Sequence, residues 1–395
     1  MDTPGREVVL HIGAMKTGTT YVQNLLGANQ KALARQGWDL PRQPLVVRGV
    51  RQVLGLTDAG PRAVAKRTPG WDELVGQLRE GPGRGALLSM EFLSYAQPDD
   101  VERILTSLGD VDPKVVLTVR DATGAIPSQW QSLTRNRGLT AWPDFAVAVR
   151  SEGRGPRATR RPYRAFERTQ GIVRMLETWS AAVPPERLYV VTVPRSPAPR
   201  DLLWQRLLSV AGLDAEQTRT EDVVFGNPRL GYGSCELIRR LNTSGLRDVP
   251  PSAYRRAVRF VARNHLLPLR AEESEPRLDA ATAEHAVVLN ARAREAAERH
   301  ATVVGDLDDL PLTPDPARPV DTGRTPAPVP DAEVGRAAEA ALVGARAYCA
   351  ELGVAAPAEK AGSDLDARVG LVVTTLRTAI DADLAQRRAS SSPGV

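Results

Sequence analysis

The sequence predicts an α/β fold. A central parallel β-sheet is flanked by helices, a glycine-bearing loop follows the first strand, and a helical extension closes the chain. Three observations carry this reading. Short apolar runs at Val8–Ile12, Ala86–Met90, Lys114–Val119 and Leu188–Val193 alternate with helix-length amphipathic segments, as strands buried on both faces between crossover helices should. The first run ends in Gly13-Ala14-Met15-Lys16-Thr17-Gly18-Thr19-Thr20 and opens directly into a helical pattern. Seven prolines fall within residues 311–330, a composition that reads as an extended linker.

The first strand and its loop organise the rest. Gly13 and Gly18 allow sharp turns and a close backbone approach to a ligand. The segment Thr20 to Leu33 places Tyr21, Leu25, Leu26 and Leu33 on one helical face. The free N–H groups and positive dipole end of that helix point into the loop and make an anion site. Gly13 and Gly18 have the spacing of a nucleotide-triphosphate loop, but position 19 is Thr and the lysine comes earlier, at Lys16. A lysine in the bend addresses the bridging oxygen of a phosphate-linked leaving group. The chain holds five lysines, at 16, 31, 66, 114 and 360, so one inside this loop carries weight. The plainer alternative is a strand-to-helix turn that binds nothing.

Further along, residues 38–70 are irregular, with a short helix near Val46–Leu54. Trp71 to Arg79 reads as a helix broken by Gly81-Pro82-Gly83. The second strand run ends at Ser89 and Glu91. Ligands gather at the carboxyl ends of strands in open parallel sheets, which places Glu91 where chemistry would occur. Pro98 to Leu108 is a helix with acidic residues in its first turn. The third strand, Lys114 to Val119, ends at Arg120, and the helix Thr123 to Arg135 carries Ser128. An arginine at a strand end and a serine eight residues on can hold one phosphate from two sides.

The arginine-rich stretch 150–168 reads as a loop on account of its glycines and prolines, either a solvated basic segment or a cover for an anion. Helices are expected at Trp142–Val149, Ile172–Ala182, Asp201–Ala211, Ser234–Asn242, Ala253–Leu267 and Ala280–His300. A second glycine-bearing loop, 227–233, contains Arg229. Beyond the proline segment, Ala332 to Leu352 and Leu365 to Leu384 form two helices that cannot bury their apolar faces alone. They would dock on the main domain, on each other, or on a second subunit in a homo-oligomer. The expected division is a main α/β domain at 1–310, a linker at 311–330 and a helical extension at 331–388.

Charge and composition narrow the function classes. Residues 306–395 hold 14 acidic and 9 basic side chains, leaving 33 acidic and 43 basic on residues 1–305. The excess of +10 on residues 1–305 suits a polyanionic cofactor or acidic acceptor. No basic stripe is interleaved with aromatics, which disfavours nucleic acid. No run is long and apolar enough to span a membrane. The two cysteines, Cys235 and Cys349, are too few for a disulfide framework. With no signal peptide expected at the polar N-terminus, that suits a cytoplasmic location. The four histidines show no metal-ligand spacing.

The Lys16-Thr17-Gly18-Thr19-Thr20 loop resembles the 5′-phosphosulfate loop of sulfotransferases that use 3′-phosphoadenosine 5′-phosphosulfate, whose fold is similar to that of phosphate-loop NTPases. Supported by position, the resemblance covers roughly residues 6–305. It implies that Gly13, Lys16, Thr17, Gly18, Thr19 and Thr20 hold the 5′-phosphosulfate and that Arg120 with Ser128 holds the 3′-phosphate. It also implies that a late basic loop closes over the nucleotide, a role for Arg229, although the family's Arg-Lys-Gly form is absent here. The implied reaction passes a sulfuryl group, without a metal, to a hydroxyl or amine of a carbohydrate, lipid or small-molecule acceptor. Where part of the family uses a histidine base after the second strand, this chain has Glu91. His11, just before the loop, is the second candidate to meet the acceptor. The competing readings are a phosphate-loop kinase or NTPase, disfavoured by Thr19, and a non-catalytic nucleotide-binding protein.

Overall fold

The computed structural model describes residues 6–56, 70–221, 229–315, 318–323, 325–358 and 364–391. Strand β1 (Glu7–Gly13) passes through the loop into α1 (Thr19–Ala28). Asn29 then interrupts the helix before α2 (Gln30–Arg35), so the single helix expected over 20–33 is two. The Asn29 side chain donates to Leu25 O at 3.0 Å and to Arg219 O at 2.8 Å, while its Oδ1 accepts from Arg219 N–H at 2.7 Å. A side chain that satisfies backbone groups in this way competes with helix continuation.

The chain continues through β2 (Trp38–Asp39), α3 (Gln43–Val53), α4 (Trp71–Glu80), β3 (Gly85–Ser89), α5 (Pro98–Leu108) and β4 (Lys114–Val119). Then follow α6 (Ala122–Arg135), α7 (Trp142–Arg150), α8 (Arg157–Gln170), α9 (Ile172–Ser180), β5 (Leu188–Thr192) and α10 (Leu202–Val210). The remainder is α11 (Tyr232–Leu241), α12 (Pro251–Val261), α13 (Ala280–His300), β6 (Thr302–Val304), α14 (Asp331–Glu351) and α15 (Leu365–Ser391).

The six strands form one all-parallel sheet in the order β2-β3-β1-β4-β5-β6. Side chains alternate between its faces. Val8, Leu10, Ile12, Leu88, Val115 and Leu117 bury against α3, α4, α5, α9 and α13. Val9, Leu87, Val116 and Val191 bury against α1, α2 and α10. Both faces are covered, so the strands read as continuous apolar runs. The chain leaves β1 toward β2 and β3 but leaves β4 toward β5. The β1/β4 pair is therefore the point where strand order reverses, and the crevice beyond its carboxyl ends is where this architecture places ligands.

Backbone contacts divide the chain into two compact units. The first comprises Met1–Ala125, Arg164–Gly226 and Ala283–Ala317 and contains the sheet. The second comprises Ile126–Tyr163, Asn227–Thr282 and Arg318–Val395. This grouping differs from a division at 311–330. The start of the proline segment belongs to the sheet unit. There Asn290 donates to Pro311 O at 3.0 Å, and Arg195 pairs with Asp315 at 2.6 Å. Helices α14 and α15 pack against α11 and α12 rather than standing apart. Ala337, Ala338, Ala341 and Ala345 of α14 are fully buried, and their small side chains permit the close approach of neighbouring helices. An ion pair joins Arg256 of α12 to Asp383 of α15, and another joins Arg377 of α15 to Asp248, just before α12, at 2.8 Å.

A chain ended after Asp309 should therefore fail as a soluble protein. It loses Leu310, which is 0% exposed, and uncovers the apolar faces of α11 and α12. Soluble yield and thermal unfolding check this. A truncated chain that melts cooperatively would contradict the packing described here.

The arginine-rich stretch also departs from expectation, because α8 spans Arg157–Gln170 in place of a loop. Arginine is a good helix former, and Pro162, Phe166 and Thr169 fall on one buried face while Arg157, Arg160, Arg161, Arg164 and Arg168 stay exposed. The spacing of the apolar residues outweighed the single proline.

Candidate functional site

The loop between β1 and α1 has three left-handed residues: Gly13 at φ 95°, Lys16 at φ 62° and Gly18 at φ 88°. A Cβ on Gly13 would stand 3.1 Å from Glu91 Cα, and one on Gly18 would stand 2.6 Å from Leu203 Cδ2. Both positions favour glycine for their positive φ, and at Gly13 the nearby Glu91 backbone also leaves a Cβ little room. Lys16 holds the same kind of conformation with a side chain, at a cost of about 1–2 kcal/mol. Such strain persists where surrounding structure fixes it, and it clusters at ligand sites. Gly18 caps α1 without a side-chain hydrogen bond, so no cap residue takes up the first N–H groups of the helix.

Beneath the loop runs a buried polar chain. Ser89 Oγ lies 2.8 Å from His11 Nδ1, His11 Nε2 lies 3.2 Å from Thr118 Oγ1, and Thr118 Oγ1 lies 2.6 Å from Thr17 Oγ1. Thr17 Oγ1 donates to Ala14 O at 2.6 Å. One direction satisfies every group. With its proton on Ala14 O, Thr17 accepts from Thr118. Thr118 then accepts from His11 Nε2–H, and His11 Nδ1 accepts from Ser89. His11 is therefore the neutral Nε2–H tautomer. It is 0% exposed, and burial pulls its pKa down to about 4.

His11, expected to meet the acceptor, is thus enclosed with both nitrogens engaged, and it braces three strand ends against the loop. The Thr17 hydroxyl also points inward, bonded to Ala14 O and Thr118 Oγ1.

The folded pKa of His11 lies below the ordinary value near 6.5. The unfolded chain then binds the extra proton between about pH 6.5 and 4, so His11's contribution to stability is full above 6.5 and declines as pH falls through that window. The imidazole ¹⁵N shifts should report a neutral Nε2–H ring still at pH 5. A His11 signal titrating near 6.5 would contradict the buried chain.

Glu91 opens a 3₁₀ turn, Glu91–Tyr95, directly after β3. Its carboxylate accepts from Gln23 Nε2 of α1 at 2.8 Å, and the same amide lies 3.3 Å from Ser89 O. The Ser94 hydroxyl donates to Glu91 O at 2.6 Å. Glu91 is half-buried and abuts Gly13, so the carboxylate and the loop share one end of the sheet.

The far side of the loop is held at Met15. Gln170 Nε2 donates to Met15 O at 2.5 Å, and the Tyr95 hydroxyl donates to Met15 Sδ at 2.8 Å. Burial is the main cause that pushes the Tyr95 phenol up to about 12, which keeps it a donor at neutral pH. The Arg168 guanidinium lies over the Tyr95 ring at 4.2 Å.

Arg120 follows β4, and its Nη1 donates to Lys16 O at 3.4 Å. The sheet thus brings Gly13, Lys16, Thr17, Gly18, Thr19, Glu91 and Arg120 to the carboxyl ends of β1, β3 and β4. Thr19 is buried and Thr20 half-buried in the first turn of α1. Ser128 lies on α6, buried, within the second unit. Arg229 belongs to that unit too, where desolvation and then the positive charges of Arg270 and Arg318 lower its pKa. Residues 227 and 228 of its loop lie outside the described residues.

Sequence reasoning missed Gln23, Tyr95, Thr118 and Gln170. Thr118 had a signal, a hydroxyl inside the otherwise apolar run Lys114–Val119. The other three act through long-range contacts that local pattern does not encode. In comparisons with known proteins, no family model, curated protein or solved structure matches the chain.

Proposed function

We propose that this chain is a sulfotransferase that takes a sulfuryl group from 3′-phosphoadenosine 5′-phosphosulfate and passes it to a hydroxyl or amine of a carbohydrate, lipid or small-molecule acceptor. The observation that carries the reading is the loop, which sets Lys16 in a left-handed bend between two left-handed glycines at the uncapped head of α1. Such a backbone turns N–H groups inward and makes an anion-binding concavity. Its place beside the β1/β4 reversal fits a nucleotide ligand.

The roles follow from the chemistry. As the bond between sulfur and the bridging phosphate oxygen breaks, charge grows on that oxygen, and Lys16 with the loop N–H groups neutralises it. The acceptor oxygen or nitrogen forms the new bond to sulfur and loses its proton to Glu91. Gln23 holds Glu91 in place, and Arg120 takes a phosphate of the nucleotide. The product is 3′,5′-adenosine bisphosphate.

Ligand-dependent stabilisation tests the reading. At a hundred times its Kd, 3′,5′-adenosine bisphosphate should add about 2.7 kcal/mol to the folded state, while ATP–Mg²⁺ should leave Tm unchanged. The reverse pattern would favour a phosphate-loop kinase or NTPase.

A further inference from the structure

A cavity of about 310 Å³ opens between α1 and the segment after β2, on the side of β1 away from β4. Its floor is Leu87, Leu88 and Ser89 of β3. Strand β2 pairs with β3 only from Trp38 to Asp39, opposite Gly85 and Ala86, so no strand among those described covers the next three residues of β3 on that side. One wall is Gln23, Leu26 and Gly27 of α1 with Gln30 at the start of α2; the other is the segment Leu40–Pro44 that follows β2. The cavity therefore lies at the carboxyl ends of β2 and β3, the end of the sheet that also carries the loop and Glu91. Gln23 belongs to both, since it lines the cavity and donates to Glu91 at 2.8 Å.

The lining has a distinct chemistry. Leu26, Leu40, Pro41, Pro44 and Val46 supply apolar surface, Gln23, Gln30 and Gln43 supply carboxamides, and Arg42 is the one charged residue among the lining side chains. A carboxamide both donates and accepts, which matches a hydroxyl, itself donor and acceptor. No lining carboxylate would repel an anionic group. The volume lies at the small end of ligand sites. At Gly27, a Cβ would meet no protein atom within 4 Å. The fold does not require glycine there, although glycine in a helix costs about 1 kcal/mol relative to alanine.

We propose that this cavity is the acceptor site, and that its ligand is a hydroxyl-rich small molecule of glycoside size, apolar on one side and neutral or singly anionic. The assignment of an acceptor rests on the sulfotransferase reading; the binding of such a ligand does not. The hydroxyl nearest Gln23 would be the one presented to Glu91.

Calorimetric titration of the full chain with 4-nitrophenyl glucoside and 4-nitrophenyl glucuronide tests this, beside titration with 3′,5′-adenosine bisphosphate. Gly27→Phe fills the cavity from a position where the added side chain meets open space. Gly76→Phe adds the same bulk on α4, where a Cβ also meets nothing. The wild type should bind at least one glycoside, and Gly27→Phe should weaken that binding by about tenfold or more. Gly76→Phe should not weaken it, and neither change should alter bisphosphate affinity. Equal glycoside binding by wild type and Gly27→Phe overturns the site, and binding of neither glycoside by the wild type overturns the ligand class. Glycoside binding that Gly27→Phe removes, in a chain with no affinity for the bisphosphate, keeps the cavity as a ligand site and overturns its role as an acceptor site.

Discussion

Glu91→Gln should cut sulfuryl transfer by about 10²–10⁴-fold, the usual worth of a general base, while nucleotide affinity stays nearly unchanged. The substitution suits the site. A glutamine carbonyl can accept from Gln23 Nε2 as the carboxylate does at 2.8 Å, and the Ser94 bond to the residue-91 backbone carbonyl is untouched. Shape and local hydrogen bonds persist, and the capacity to take a proton is lost. Single-turnover transfer read beside bisphosphate titration separates the two effects. Full transfer by Glu91→Gln would remove Glu91 as the base. With both nitrogens of His11 committed inside the sheet, that result would point to a base outside this strand end. An unfolded Glu91→Gln chain would instead assign the carboxylate a structural role.

Lys16→Ala should lower turnover by about 10²–10³-fold, the scale on which a single donor to developing charge acts, and lower nucleotide affinity much less. In the proposed reaction this contact would strengthen as the bridging oxygen gains charge, so its loss should fall on the transition state more than on the bound ground state. The backbone provides a control. Because Lys16 sits at φ 62°, Lys16→Gly relieves strain that Lys16→Ala retains, and it should melt at a higher temperature than Lys16→Ala while transferring as poorly. A lysine that served only to shape the loop would give a different result, with Lys16→Gly recovering activity.

The sheet was largely legible because its strands are long and apolar. Lys114–Val119 was expected residue for residue, and β1, β3 and β5 within one or two. The two strands that went unread, Trp38–Asp39 and Thr302–Val304, are two and three residues long. Segments so short show no period and form because a longer neighbour offers an edge. The loop was legible for a different reason. Gly13 and Gly18 stand where the backbone must take positive φ, and that demand falls on single residues in sequence.

What the sequence could not show is how the loop is held. Ser89, His11, Thr118 and Thr17 come from β3, β1, β4 and the loop, and their chain exists only once those strands align in register. For α14 the sequence left three docking partners open, the main domain, α15 or a second subunit; Ala337, Ala341 and Ala345 are buried in the second unit, where small side chains permit close packing.

Calorimetric titration with 3′,5′-adenosine bisphosphate beside 5′-AMP tests whether the site takes the proposed cofactor. The two ligands differ by the 3′-phosphate alone. A charge-assisted contact to that group is worth about 1.5–3 kcal/mol, so the bisphosphate should bind roughly ten- to a hundredfold more tightly, and Arg120→Ala should erase most of that margin. Equal affinity for the two nucleotides in the wild type, or a margin that survives Arg120→Ala intact alongside tight binding of ATP–Mg²⁺, would contradict the account.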